Sequence, residues 1–392
     1  MNPMQTLPDP PSGPGGIQRA IGAAKAAAIG LAEQGLVPDR LVRIGIRRLL
    51  QERLAELRTD DPAATAATRD AFFEAARTLP VAIATQEANE QHYEVPAAFF
   101  EQVLGPRFKY RCCDYGLRAE RRGRHLTLPP IEQAEEAMLA KTCERAGVED
   151  GMRILDLGCG WGSLSLWLAE SYPNAEILAV SNSKTQREHI VARADRAGLR
   201  NLEVRTADAN HFEPGDGEGP FDRVISIEMF EHMRGWPSLF ERIARWLSPD
   251  GRLFLHYFCH RTTPYYYEVR SESDWMSRYF FTGGIMPSYD LAAQFRDHLS
   301  VEQSWIVDGR HYERTCNDWL DRVDARRDTV LPILAETYGE ADAEMWLTRW
   351  RFFFMACAEL FGARSGSEWF VAHHRLAPVH PERSETVASI AP

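Results

Sequence analysis

Three glycines alternate in Gly158-Cys159-Gly160-Trp161-Gly162, directly after the run Ile154-Leu155-Asp156-Leu157. A backbone that must leave a strand sharply and approach a ligand closely needs residues without a Cβ, so this segment reads as a nucleotide-binding loop. Two chemistries use such a loop. A dinucleotide fingerprint requires G-x-G-x-x-G, with an acid at the end of the second strand for the ribose. Here Ser163 stands where the third glycine belongs, and the second strand ends at Val180-Ser181 without an acid. Both features point away from NAD. A sulfonium nucleoside, S-adenosylmethionine, has no pyrophosphate to cradle. For it, Gly158, Gly160 and Gly162 with a carboxylate at the end of the first strand, Asp156, suffice to hold the amino-acid and ribose portions.

The elements that must carry this loop follow from periodicity. Strands are predicted at 153–157, 176–180, 202–206, 223–227 and 252–257, and helices at 163–171, 184–197 and 237–246. Such alternation is the pattern of a doubly wound, Rossmann-like α/β fold, a parallel sheet with helices on both faces. Past His260 the alternation stops. An aromatic-rich insertion, Tyr265-Tyr266-Tyr267 through Trp275 and Tyr279-Phe280-Phe281, precedes Gly283-Gly284 and falls at the carboxyl edge of the sheet, where open α/β folds bind ligands. Two long helices are predicted near 317–337 and 341–361. The stripe Trp346, Trp350, Phe353, Phe354 and Cys357 in the second reads first as core, with an apolar channel wall shared with Phe280 and Phe281 as the alternative.

On the N-terminal side, residues 1–16 are rich in Pro and Gly and read as a flexible tail, and 17–88 as a helical region. Between Asp39 and Arg58, Val42, Ile46, Leu49, Leu50, Leu54 and Leu57 recur at helical spacing, with Arg43, Arg47, Arg53 and Arg58 largely outside the stripe. A solvated face on a packed helix is the favoured reading, and peripheral contact with anionic lipid the lesser one. The remaining boundaries are 89–378 for the main domain, with a cofactor core at about 130–260 and a substrate-covering part at about 261–378, and 379–392 as a loose tail. A net charge of -11 argues against a nucleic-acid partner, because phosphate recognition needs a clustered cationic face. Seven cysteines without a CxxC pair fit free thiols in a reducing compartment, and no run reaches membrane-spanning length, so a cytoplasmic protein is expected.

Ordered motifs along nearly the whole chain carry a resemblance. They include Gly35-Leu36-Val37-Pro38-Asp39, Tyr93-Glu94-Val95-Pro96, Leu104-Gly105-Pro106, Tyr110-Arg111-Cys112-Cys113 and Leu155-Asp156-Leu157-Gly158-Cys159-Gly160. Further on come Ser181-Asn182-Ser183-Lys184-Thr185-Gln186, Ile227-Glu228-Met229-Phe230-Glu231-His232-Met233, His256-Tyr257-Phe258-Cys259-His260, Arg278-Tyr279-Phe280-Phe281-Thr282-Gly283-Gly284 and His311-Tyr312. Together they resemble the cyclopropane-fatty-acyl-phospholipid synthase superfamily, and within it the branch of plant coclaurine N-methyltransferases. The resemblance implies a class I methyltransferase sheet, with S-adenosylmethionine surrounded by Tyr110, Gly158, Gly160, Ser181, Gln186, Asp208 and Ala209. Ser181 and Gln186 each donate and accept, which suits ribose hydroxyls without a buried charge.

The same resemblance implies two versions of proton handling. In the lipid-modifying branch the acceptor is a bound bicarbonate held by a Cys segment, a Glu, a His, a backbone amide and a Tyr, which match Cys112, Glu231, His256, Phe258 and Tyr312. In the N-methyltransferase branch a Glu-x-x-Glu-His segment is implicated, matching Glu228, Glu231 and His232. Cyclopropane synthases usually carry a small residue where Glu228 stands, and Ser where Arg111 stands. Glu228 thus tilts the fine resemblance toward the amine branch, while the general expectation for the superfamily, which comes first, is an unsaturated fatty-acyl acceptor, methylated or cyclopropanated. N-methylation of a small aromatic amine is the alternative. Cys113, Cys259 and His260 read as structural.

Overall fold

The computed structural model describes residues 16–57, 60–82, 95–117, 128–270 and 274–379. The expected tails, apart from Gly16 and Val379, and the Tyr93-Glu94 half of one motif lie outside these residues. The chain opens with helices α1 (Gly16–Glu33), α2 (Asp39–Leu57), α3 (Pro62–Thr78), α4 (Ala97–Val103) and α5 (Ile131–Ala146). Then come β1 (Arg153–Leu157), α6 (Ser163–Ser171), β2 (Glu176–Ser181), α7 (Lys184–Ala197), β3 (Leu202–Thr206), β4 (Phe221–Ile227), α8 (Trp236–Trp246) and β5 (Leu247–His260). The second half comprises β6 (Tyr265–Tyr266), α9 (Trp275–Tyr279), β7 (Ile285–Met286), β8 (Leu299–Val307), α10 (Gly309–Ala325), α11 (Arg327–Tyr338), α12 (Ala343–Gly362) and β9 (Trp369–Pro378).

The main sheet has the order β3-β2-β1-β4-β5-β9-β8. Strands β1 to β5 are parallel, and β9 pairs antiparallel with both β5 and β8. The order reverses between β1 and β4, so their carboxyl ends open the crevice in which an α/β sheet holds its ligand. Buried apolar strands such as β1, with Ile154, Leu155 and Leu157 almost fully enclosed, account for the legibility of this half.

Strands β8 and β9 depart from the expectation that the alternation ends at His260. β8 is an edge strand exposed over Glu302, Gln303 and Ser304, while β9 is buried but carries His373-His374-Arg375. Neither shows a sustained apolar alternation, and β9 is stabilised by pairing on both sides. The long helix expected near 317–337 is two helices, α10 and α11, which break at Arg326, where φ is -117° and ψ is 23°.

Arg43 is half-buried, and Arg47 is exposed, as a solvated face requires. Both donate to Glu359 of α12, at 2.9 and 2.5 Å, so the basic face of α2 docks onto the body. No helix among the described residues is long and apolar enough to cross a membrane. The aromatic stripe of α12 divides: Trp350 and Phe354 are core, Trp346 stacks on Tyr338, and Phe353 and Cys357 face a cavity.

Candidate active site

Two clefts meet at the carboxyl end of the sheet. The first, about 650 Å³ with its mouth, is lined by Gly158 and Gly160, by Ser181, Asn182 and Gln186, and by Asp208 and Ala209. Ser183 builds part of it: its hydroxyl caps α7 by accepting from the Gln186 amide at 3.3 Å, which brings Gln186 over the end of β2. Ser181 Oγ then donates to Gln186 Oε1 at 2.6 Å, leaving the buried Gln186 Nε2 without a hydrogen-bond partner among the described residues. A buried amide donor facing a cleft calls for a ligand acceptor such as a ribose hydroxyl.

The three glycines play different parts. A Cβ on Gly158, where φ is +83°, would stand 2.7 Å from Met229 Cβ, so the loop interlocks with the turn after β4. A Cβ on Gly162 would stand 2.5 Å from Ile190, so this glycine seats the loop on α7 and does not line the cleft. Asp156 also departs from its expected place. It is 2% exposed, accepts from Ser165 Oγ at 2.6 Å and lies beneath the loop, where burial raises its carboxyl to about 6. Tyr110 lines the second cleft and not the first.

The second cleft, about 720 Å³, is walled by aromatic residues including Phe258, Tyr267, Phe281, Tyr312, Trp319 and Phe361. Arg111, Glu228 and His232 line both clefts and so form their common boundary. His232 stacks on Phe281 with ring centroids 5.1 Å apart. Glu228 adopts φ +47°, a left-handed conformation that costs a non-glycine residue about 1–3 kcal/mol and persists only where surroundings impose it. Here its amide donates to the His256 carbonyl at 2.7 Å.

The carboxylate of Glu228 is held on three sides. Oε1 accepts from the Cys112 amide at 3.2 Å and from His256 Nε2 at 3.1 Å, and Oε2 accepts from the Tyr312 hydroxyl at 2.7 Å. Burial alone would raise this carboxyl, but the His256 bond and the cationic Arg111 and Lys109 outweigh it and hold it below the usual range. Burial lowers His256 to about 4 despite Glu228, so its imidazole is neutral. Burial, then Glu228, raises the Tyr312 phenol and the Cys112 thiol, so the first stays a donor and the second inert.

Glu231 is the opposite case. It is fully buried, and Oε1 accepts from the Phe258 amide at 2.7 Å, while Oε2 has no hydrogen-bond partner among the described residues. Burial, then the neighbouring Glu228 charge, pushes it well above the usual carboxylate range. One fixed anion thus sits beside one proton-hungry carboxyl, the separation of roles that acid–base chemistry needs.

A separate bicarbonate does not fit. The Cys112 amide, His256 and Tyr312 donate to Glu228, and the Phe258 amide to Glu231. Every donor expected for that anion is engaged by a carboxylate of the chain itself.

Residues 82–368 match the family described as mycolic acid cyclopropane synthetase. The chain is 34% identical over 357 residues to (S)-coclaurine N-methyltransferase from Thalictrum flavum subsp. glaucum, covering 87% of this chain and 92% of that protein. This chain belongs to the mycolic acid cyclopropane synthetase family. The chain is also 28% identical over 288 residues to cyclopropane-fatty-acyl-phospholipid synthase from Escherichia coli (strain K12), covering 73% of this chain and 67% of that protein. A crystal structure of coclaurine N-methyltransferase bound to N-methylheliamine and SAH superposes with a TM-score of 0.84 at 34% identity, covering 90% of this chain and 99% of that one. The chain is an S-adenosylmethionine-dependent methyltransferase with the class I fold, and the glycine loop, Gln186 and the first cleft fit that cofactor.

Several site residues were not anticipated. In the sequence Arg111 stands out only as a departure from the lipid-modifying relatives, yet its Nη1 donates to the Tyr110 carbonyl at 2.6 Å and its Nε lies 3.9 Å from Glu228. Lys109 is fully buried and its Nζ makes no hydrogen bond among the described residues. His373 lies on a strand that was not expected at all. A buried cation and a buried imidazole in β9 leave no spacing signature, because their partners are distant in sequence.

Proposed function

We propose that this methyltransferase acts on the nitrogen of a small aromatic amine. The observation that carries the reading is a carboxyl pair: Glu228, a fixed anion that lines both clefts, and beside it the fully buried Glu231, whose Oε2 has no hydrogen-bond partner among the described residues. An aromatic wall accepts the ring system, and the Glu228 anion attracts a protonated amine. Bound S-adenosylmethionine supplies an electrophilic methyl on a sulfonium. The chain supplies position, dryness and proton handling.

In this reading the amine enters along Phe281, Phe361 and Tyr312, with its nitrogen facing Glu228 and His232. Glu231 Oε2 takes the proton from the ammonium, whose N–H bond breaks as the carboxyl O–H bond forms, leaving a nitrogen lone pair for attack. Glu228 remains ionised, fixed by three donors, and stabilises the positive charge that stays in the site throughout. The relatives support an amine ahead of the fatty-acyl acceptor first expected, as does the filling of the bicarbonate position by Glu228. The plant relative is an N-methyltransferase and shares more identity with the chain than the bacterial lipid enzyme does.

The test uses purified protein and S-adenosylmethionine labelled in its methyl group, offered a panel of secondary and tertiary aromatic amines and, in parallel, vesicles of unsaturated phospholipid. Label is expected in one or more amines and not in acyl chains. Transfer to the lipid alone would overturn the amine reading.

A further inference from the structure

Behind Glu228 a chain of hydrogen bonds crosses the sheet. Arg145 on α5 lies with Nη1 2.8 Å from His373 Nδ1; His373 Nε2 lies 2.9 Å from His256 Nδ1; and His256 Nε2 reaches Glu228 Oε1. The two imidazoles are direct cross-strand partners on β5 and β9, with ring centroids 4.6 Å apart. Both are buried, whereas Arg145 is half-buried and covers Trp305 of β8 at 5.1 Å.

The direction of this chain follows from the chemistry of its first member. A guanidinium only donates, so His373 Nδ1 must present its lone pair to Arg145. Neutral His373 therefore carries its proton on Nε2 and donates it to His256 Nδ1. That nitrogen, in turn, must present a lone pair, so His256 carries its proton on Nε2 and donates to Glu228. One obligate donor at the surface orients two histidines in series.

We propose that Arg145 and His373 form a tautomer lock on His256. The lock makes the imidazole a fixed, neutral donor to Glu228 and prevents it from gaining a second proton that would cancel the carboxylate's charge. His373 is a positioning residue, since it touches neither cleft. The charged surroundings favour the same neutral state. Lys109 and Arg111 approach His256 from the segment before α5, Lys141 and Arg145 approach His373 from α5, and Glu228 is the carboxylate in direct contact. Burial first, then His256 and the cations Arg145, Lys141 and Lys109, holds His373 well below the ordinary histidine range.

Without the lock, His256 Nδ1 is free to take a proton while Nε2 still faces a carboxylate. An imidazolium then pairs with Glu228 and cancels that carboxylate's charge. The proposal rests on the amine reading only where methyl transfer is measured; the tautomer itself can be read without any acceptor.

The experiment uses the full chain labelled with 15N in histidine and follows the ring nitrogens by long-range proton–nitrogen correlation between about pH 6 and 9, the interval around the ordinary histidine range. In the parent protein His256 is expected to show an unprotonated Nδ1 and a protonated Nε2 throughout. In His373→Leu it should gain a proton on Nδ1 within that interval. Relative to the parent at the same pH, methyl transfer should then fall about tenfold at a pH one unit below the new titration point, and the ratio should return toward one at alkaline pH, a pH-dependent ratio that mere loss of packing does not give. Arg145→Leu, at a half-buried position, should move the same signals in the same direction, and it carries the test if His373→Leu does not fold. His373→Gln and Arg145→Lys, which retain donors, should restore the parent profile. A parent His256 that is charged or carries its proton on Nδ1, or folded Arg145→Leu and His373→Leu proteins with unshifted histidine signals, would overturn the lock. Signals that shift as expected, with no amine methylated by the parent enzyme, would leave the lock standing and remove the amine acceptor.

Discussion

The two clefts are built in contrasting ways. The cofactor side comes mainly from 157–233, where each strand end is followed by a turn that delivers its residues locally: Gly158 after β1, Ser181 and Gln186 after β2, Asp208 after β3. The acceptor side gathers Tyr110 from the segment after α4, Glu228 after β4, Phe258 from β5, Phe281 after α9, Tyr312 from α10 and Phe361 from α12. One side binds with backbone contacts and neutral amides, and the other with aromatic walls around buried carboxyls. The contrast teaches that a cofactor common to many enzymes can be held by a local, repeating device, whereas an acceptor and its proton need groups assembled from the whole fold.

That contrast can be broken most severely at Glu231. Glu231→Gln should lower kcat about a thousandfold, within the range of a lost general base, while calorimetric affinity for S-adenosylmethionine stays unchanged. Turnover within a few-fold of the parent would remove its role. Because burial and the Glu228 charge raise this carboxyl, the parent rate should climb with pH as the base ionises, and Glu231→Gln should lose that limb. Gly158→Ala should act on the other side. With φ at +83° and Met229 Cβ 2.7 Å from the new methyl, about 1–3 kcal/mol of strain should appear as a roughly fivefold to hundredfold loss of cofactor affinity.

Smaller effects sharpen the comparison. Tyr312→Phe removes one hydrogen bond to the Glu228 anion, worth about 1.5–3 kcal/mol, and should reduce kcat about tenfold or more without altering cofactor binding. The buried imidazoles predict acid lability. His256 and His374 titrate near 4 in the fold and near 6.5 when unfolded, so between these values the unfolded chain binds more protons. Their contribution to stability is complete above about pH 6.5 and drains as pH falls toward 4; urea midpoints that do not fall across this window would contradict it. Phe281→Ala should raise KM for an aromatic amine about threefold to tenfold, the scale of one lost ring contact, with the cofactor constant untouched.

Legibility in the sequence followed the same division. The parallel half could be read from buried runs such as Ile154-Leu155 and from glycines where the backbone turns, because each signal and its cause are neighbours in the chain. The roles of Asp156 and Gly162 misled, since a carboxylate at a strand end can serve Ser165 as readily as a ligand, and a glycine can make room for Ile190 as readily as for a nucleoside. Strand β9 was invisible for a different reason. His373 and His374 are polar by type, yet they are buried with partners supplied by His256, Arg145, Ser304 and Tyr289. No local pattern announces contacts made across 70 to 228 residues.

The position of β9 between β5 and β8 has a consequence for biosynthesis. A nascent chain that has emerged only as far as α12 already contains the glycine loop, both carboxyls and the aromatic wall, but the sheet still has a gap where its penultimate strand belongs. Histidine 256 faces that gap until His373 slides in. The cofactor site can therefore mature during translation, while proton handling awaits the final strand, so a ribosome-stalled or C-terminally clipped form should bind the nucleoside before it can turn it over.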